Sequence, residues 1–114
     1  MTIDKTGTPT TVSAAADKFT IAVDGAQVGL TAFVDRGDQR IFHHTEVDDS
    51  YAGRGLATIL VSEALQQTRA AGKRIVAVCE LVASYLVKHR DFDDIVDPVT
   101  GETEQFVRAA VHTG

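Results

Sequence analysis

Two glycines in Tyr51-Ala52-Gly53-Arg54-Gly55 stand directly ahead of an apolar stripe at helical spacing: Ala57, Leu60, Val61, Ala64, Leu65 and Thr68. A helix N-terminus leaves its first N–H groups unpaired and carries partial positive charge, so a phosphate placed against it is stabilised. Glycines at that corner remove the side chains that would hold a pyrophosphate away. They are also common at strand-to-helix corners that need a positive φ or close packing, so the spacing alone leaves both readings open. Other phosphate loops fit less well. There is no G-x-x-x-x-G-K-[ST], and a dinucleotide fingerprint would need a third glycine where Thr58 stands.

Reactive side chains lie on both sides of this turn. Along Gln39 to Val47, strand alternation puts Phe42, His44 and Glu46 on one face and Ile41, His43, Thr45 and Val47 on the other. His44 and Glu46 can therefore act together, while His43 and His44 do not easily share a metal, and no metal site is expected. A solvated strand position explains Glu46, and a half-buried structural role explains His44, as readily as catalysis does. Cys79, the only cysteine, ends an apolar strand, where packing alone accounts for a thiol. It can form neither an internal disulfide nor, by itself, a thiolate metal site. An ordinary thiol, with a pKa of about 8.5, needs help to react at neutral pH, and the N-terminus of a following helix supplies it if aimed at the sulfur.

The elements that must position these groups follow from pattern. Phe19, Ile21 and Val23 alternate with polar or small residues before Asp24-Gly25, a strand and a hairpin turn. Gln27 to Asp35 alternates again and stops at Arg36-Gly37-Asp38, and Gln39 to Val47 follows as a third strand of an antiparallel meander. The stripe after the glycines is a helix closed by Arg69 and Gly72. Arg74 to Cys79 reads as a strand covered on both faces, and Leu81, Val82, Tyr85, Leu86 and His89 as a second amphipathic helix. Tyr85 on that stripe is by default a core aromatic, and Lys88, His89 and Arg90 suit the helix end. Phe92 to Val96 is read as a last short strand.

The expected fold class is α+β: a mixed, mostly antiparallel sheet with two main helices packed on it. Residues 1–16 are read as a flexible lead-in, 17–97 as the folded domain and 98–114 as a tail without assigned structure. The chain has 114 residues, a net charge of -5 and eleven scattered Lys and Arg, which suits one domain and argues against a nucleic-acid partner. No apolar run is long enough for a bilayer, the N-terminus lacks a signal-peptide pattern, and a reducing cytoplasm is the simplest compartment for one unpaired thiol.

Taken together, His44-Thr45-Glu46-Val47, Gly53-Arg54-Gly55-Leu56-Ala57, and Leu60-Val61 with Ala64-Leu65 resemble the coenzyme-A-binding core of the GNAT superfamily of N-acetyltransferases, over about Lys18 to Val96. The likeness is to its small, minimal branch, in which H-T-x-V, G-x-G-[LI]-[AG] and a strand-end Cys followed by a helix with Tyr recur in order. The resemblance implies a GNAT-like fold, acetyl-coenzyme A as acetyl donor and an amine as acceptor. It also implies that Val47 and the turn Gly53, Arg54, Gly55, Leu56, Ala57 and Thr58 hold the coenzyme. The pantetheine arm would lie where the third strand splays from the Ile75 to Cys79 strand. It places Cys79, Glu46, His44 and Tyr85 at the catalytic centre, Tyr85 as the acid for the departing thiolate and Cys79 as a thiol facing the thioester.

Two departures carry consequences. Ser50 stands where larger relatives carry Gln or Arg, and Asp24-Gly25 leaves no room for the two helices that shape the acceptor pocket elsewhere. The acceptor site is therefore open or completed by a partner. A non-catalytic acyl-coenzyme A sensor, or an interaction module, is the competing expectation.

Overall fold

The computed structural model describes residues 2–3, 9–51 and 55–112. Among these the chain runs β1 (Thr2–Ile3), β2 (Pro9–Ala14), β3 (Lys18–Val23), β4 (Ala26–Arg36), β5 (Gln39–Val47), α1 (Leu56–Ala70), β6 (Arg74–Ala77), α2 (Glu80–Lys88), β7 (Val96–Asp97) and α3 (Gly101–His112). The strands lie side by side in sequence order in one seven-stranded sheet. Pairing is antiparallel from β1 through β5, then parallel from β5 to β6 and β6 to β7. The α+β class and the mostly antiparallel meander are as the alternation requires.

One face of the sheet carries the main core. Phe19, Ile21, Phe33, Phe42 and Ile75 point to it, and α1 answers with Leu56, Leu60, Val61, Ala64, Leu65 and Thr68. Leu56 takes the buried place the stripe assigned to Ala57, which is half-buried instead. The helix stops as the sequence dictates: Gly72, at φ +74°, lets its amide reach Arg69 O at 3.0 Å while the Lys73 amide reaches Thr68 O at 3.1 Å. In α2, Val82 and Leu86 are buried, whereas Leu81 stays exposed and His89 falls just beyond the helix.

Three segments differ from the sequence reading. Within the expected lead-in, Pro9–Ala14 is a strand paired with β3 from Thr10 with Val23 to Ala14 with Phe19. Thr10 and Val12 turn inward while Thr11 and Ser13 face out, a period of two written in threonines rather than large apolar residues. Within the expected tail, α3 is opened by a reciprocal cap. The Thr103 amide donates to Thr100 Oγ1 at 3.2 Å and the Thr100 amide to Thr103 Oγ1 at 3.3 Å. α3 packs on the outer side of β5, with Arg36 lying over Phe106 at 5.5 Å. Finally, Arg90–Ile95 is a 3-10 turn and only Val96–Asp97 is strand. Arg69 pins that turn by donating to Asp94 Oδ1 and to Asp91 O, both at 2.7 Å.

Candidate functional site

The centre of the site is a fork between two parallel strands. β5 and β6 pair from Gln39 with Arg74 to Phe42 with Ala77 and no further. There the amides of Val78 and Cys79 both donate to the carbonyl of Phe42, each at 2.9 Å. On the other side of β5 the register against β4 slips at the same level, from Phe33 with Phe42 to Ala32 with His44, so His43 is an extra, bulged residue. A bulge bends its strand and raises the local twist, and β5 thus turns away from β6 as the paired stretch ends.

The bulge also corrects the expected faces of β5. Thr45 pairs with Thr31, and Phe42 pairs with Phe33; Thr31 and Phe33 lie two apart on one face of β4. Phe42 therefore shares the core face with Thr45 and Val47, not with His44 and Glu46. His44 and Glu46 stay together on the opposite face, Nε2 to Oε2 at 3.0 Å, with side chains 58% and 63% exposed. His43 is half-buried, and burial first, then repulsion from His44, lowers its pKa against a smaller raising effect of Asp17.

Cys79 ends the fork and is the N-cap residue of α2, its side chain making no capping bond. Its Sγ instead donates to Thr45 Oγ1 at 3.2 Å, and Thr45 Oγ1 lies 2.8 Å from Thr31 Oγ1. The thiol is half-buried and packs against the main core. The structure therefore groups the reactive residues into two pairs, Cys79 with Thr45 on the core face and His44 with Glu46 on the open face.

At the far end of β5 the chain reaches α1. Gly55 is the N-cap residue at φ +76°, with no side-chain cap, and the Ile59 amide donates to Gly55 O at 3.2 Å. A positive φ is itself a reason for glycine here. The first amides of α1, at Leu56, Ala57 and Thr58, have no carbonyl partner within the helix, and Gly55 gives them no side-chain cap. Gly53 and Arg54, also assigned to the coenzyme, lie outside the described residues.

Between the start of α1 and the flank of α2 lies a cleft of about 120 Å3, lined by Ala57, Thr58, Leu81, Tyr85, Lys88 and His89 among others. Tyr85 forms part of its wall, stacked on His89 with ring centroids 4.2 Å apart. Leu56 is different: at 2% exposure its side chain belongs to the core, leaving only its backbone for a ligand. Val47 borders a larger, polar hollow of about 500 Å3 at the end of β5, together with Gly29, Glu46, Asp48 and Asp49. Such a set of parts, a helix N-terminus, a strand with one free edge, a thiol and an imidazole-carboxylate pair, fits binding of a phosphate-bearing thioester and transfer of its acyl group.

A family model described as GCN5-related N-acetyl-transferase matches residues 18–95. The chain belongs to this family. Its fold also resembles the NMR solution structure of "a GCN5-like putative N-acetyltransferase" from Staphylococcus aureus, at a TM-score of 0.62 and 18% identity over 80% of this chain and 91% of that one. No curated protein matches the sequence. The matched span of this GCN5-related chain runs from the first residue of β3 to the end of the 3-10 turn, so it holds the fork, the turn and the cleft. Among the described residues, no helix is long and apolar enough to cross a membrane, and no group of three His, Cys, Asp or Glu is placed to hold a metal ion.

Thr45 and Thr31 are residues beside the candidate thiol that sequence reasoning missed in this GCN5-related domain. Thr45 stood within the H-T-x-V block but on the face assigned away from catalysis. The signal was available in the cross-strand pairing of two threonines inside an otherwise apolar meander, and becomes legible only once the bulge fixes the register.

Proposed function

We propose that this domain transfers an acetyl group from acetyl-coenzyme A to an amine, and that Cys79 carries the group between them. The observation that supports it most is the fork. β5 and β6 part after Phe42 and Ala77, with the thiol of Cys79 at the parting and the uncapped start of α1 at the other end of β5. The free edge of β5 up to Val47 offers backbone groups to the amide-bearing pantetheine arm, as an added strand would use them. The amides of Leu56, Ala57 and Thr58, with Gly53, Arg54 and Gly55 before them, receive the pyrophosphate.

Acetyl-coenzyme A supplies an activated thioester. Cys79, the N-cap residue of α2, reacts as the thiolate, the nucleophilic form of any thiol. Its sulfur bonds to the acetyl carbon as the carbon–sulfur bond to the coenzyme breaks, and the Tyr85 hydroxyl gives a proton to the departing thiolate. The amine then attacks the acetyl carbon, the Cys79 thiolate leaves, and the amine's proton passes through water to His44, which Glu46 orients on the opposite face of β5.

The test is a calorimetric titration of acetyl-coenzyme A into the parent protein and Thr58→Asp. A carboxylate in the first turn favours the helix yet repels a pyrophosphate, so fold and binding are separated. Saturable binding that Thr58→Asp abolishes, followed by one acetyl group on Cys79 in the intact mass, supports the reading. An unchanged affinity in the variant overturns the site, and no binding by the parent overturns the function.

A binding module without turnover is the second reading. It is favoured by the direct hairpin at Asp24 and Gly25, which leaves His44 and Glu46 uncovered. Tight binding with no acetylation of Cys79 or of any amine would establish it.

A further inference from the structure

We infer that Thr45 is a positioning residue for Cys79 and that Thr31 is its support, the two hydroxyls forming a relay that lets one group serve both the thiol and the thiolate. The inference rests on the reading that Cys79 accepts the acetyl group, but its test does not use the coenzyme.

Thr31 is fully buried, at 0% exposure, beside Phe33 two residues along β4 and opposite Phe19 on β3. Valine has the same shape and would fill that place with no polar group to desolvate, a burden of about 1–3 kcal/mol when such a hydroxyl goes unpaired. Among the described residues the hydroxyl's partner is Thr45 Oγ1 at 2.8 Å, and that oxygen in turn accepts from Cys79 Sγ at 3.2 Å. The backbone at Cys79 is held by its amide bond to Phe42 O at 2.9 Å, so the sulfur is fixed relative to β5.

A threonine hydroxyl has one proton and two acceptor sites. While Cys79 is a thiol, Thr45 accepts the S–H and can donate its own hydroxyl to Thr31 Oγ1. Once the thiol loses its proton, Thr45 rotates to donate to the sulfur anion and accepts from Thr31 instead. The second arrangement contains a hydrogen bond to a charged group, which is the stronger kind. Without Thr31 behind it, Thr45 would leave an acceptor site or a proton unmatched in one of the two states. In the second arrangement the pair thus keeps the sulfur hydrogen-bonded in a fixed place.

Cys79 is the sole cysteine, so alkylation by iodoacetamide reports it without ambiguity. The experiment measures the alkylation rate against pH for the parent, Thr45→Val, Thr45→Ser and Thr31→Val, with thermal melts of each. The expected result for Thr45→Val is a midpoint displaced to higher pH and a rate at neutral pH lower by about tenfold, the worth of one charge-assisted bond. Thr31→Val should move the midpoint in the same direction by less, and Thr45→Ser should restore the parent profile. A purely structural cross-strand pair would alter the melts and leave the midpoint in place. A Thr45→Val profile that superimposes on the parent overturns the inference, and so does a shift that Thr45→Ser does not reverse. If the shift appears but acetyl-coenzyme A never acetylates Cys79, the relay stands and the acetyl-carrier reading fails.

Discussion

The amide of Cys79 donates to the carbonyl of Phe42 over 2.9 Å, and with this bond the pairing of β5 to β6 ends. The residue after Phe42 is the bulged His43, so the fork and the bulge are one feature. Beyond it, among the described residues, β5 has a sheet partner on one side alone, through Ala32 with His44, Thr31 with Thr45, Leu30 with Glu46 and Gly29 with Val47. Every candidate catalytic group on β5 is thus positioned by β4, and anything that displaces β4 displaces them together.

Gly29 is where that dependence can be tested. A Cβ built there would lie 2.9 Å from Glu46 O and 3.0 Å from both Ile21 Cγ2 and Val47 Cγ2. The nearest of these is backbone and cannot rotate away. Gly29→Ala is expected to destabilise the domain by about 1–3 kcal/mol, the usual range for forcing atoms into a packed place, as read by urea unfolding. An unchanged midpoint would show that β5 is free to move outward, which contradicts its role as a fixed edge.

His44 and Glu46 offer the opposite case. Their contact, at 3.0 Å, joins two side chains that are both more than half exposed, so as an ion pair it contributes about 0–1 kcal/mol. Glu46→Gln and His44→Gln should leave thermal stability nearly unchanged. If the pair takes the proton of the attacking amine, His44→Gln should lower turnover by about 10²–10⁴-fold and Glu46→Gln by less. Equal activity in all three proteins would remove the pair from the mechanism.

The cap of α3 is a local prediction with a distant readout. Thr100 Oγ1 accepts the Thr103 amide at 3.2 Å and lies 3.0 Å from Thr103 Oγ1. Thr100→Ala should cost about 1 kcal/mol, and hydrogen exchange should show α3 opening before the sheet. Since α3 covers the outer side of β5, Ile41, at 0% exposure in the structure, would become accessible in that opened state. Uniform exchange across the whole domain would mean that α3 and the sheet unfold as one unit.

What was legible in the sequence followed periodicity. α1 appears over Leu56–Ala70 with its stop at Gly72, and β3, β4, β5 and β6 fall where alternation or a branched apolar run put them. What was not legible depended on tertiary context. The bulge at His43 carries no residue signal of its own, because an extra residue is recognised only against a partner strand, and it reversed the face of Phe42. β2 hid because its inward residues include a threonine, Thr10, which is buried at 1% exposure. α3 hid because its cap is a Thr-x-x-Thr pair rather than the Ser/Thr-x-x-Glu/Gln box. The pairing of His44 with Glu46 was read correctly, since two residues on one side of the bulge keep their alternation.

The half-buried His43 is expected to make the fold sensitive to mild acid. Burial and the neighbouring His44 hold the pKa of His43 below 6.5, with Asp17 opposing them by a smaller amount. The unfolded chain binds a proton near pH 6.5, so between the folded and unfolded values it binds more protons than the native state does. Stability therefore rises with pH across that window. The contribution is fully present above about pH 6.5 and is lost as the pH falls through the lower, folded value. The lowered pKa of Asp97, caused first by the Gln39 amide and then by Arg74, acts in the same sense but below the ordinary carboxylate value of 3.8. Thermal melts of the parent from pH 7.5 down to pH 5 should show a falling midpoint, and His43→Gln should show a shallower fall. His44, His89 and His112 are common to both proteins, so the difference between the two curves reports His43 together with its coupling to His44. Parallel curves would mean that protonation of His43 is tolerated in the folded state and that the bulge is held by backbone geometry alone.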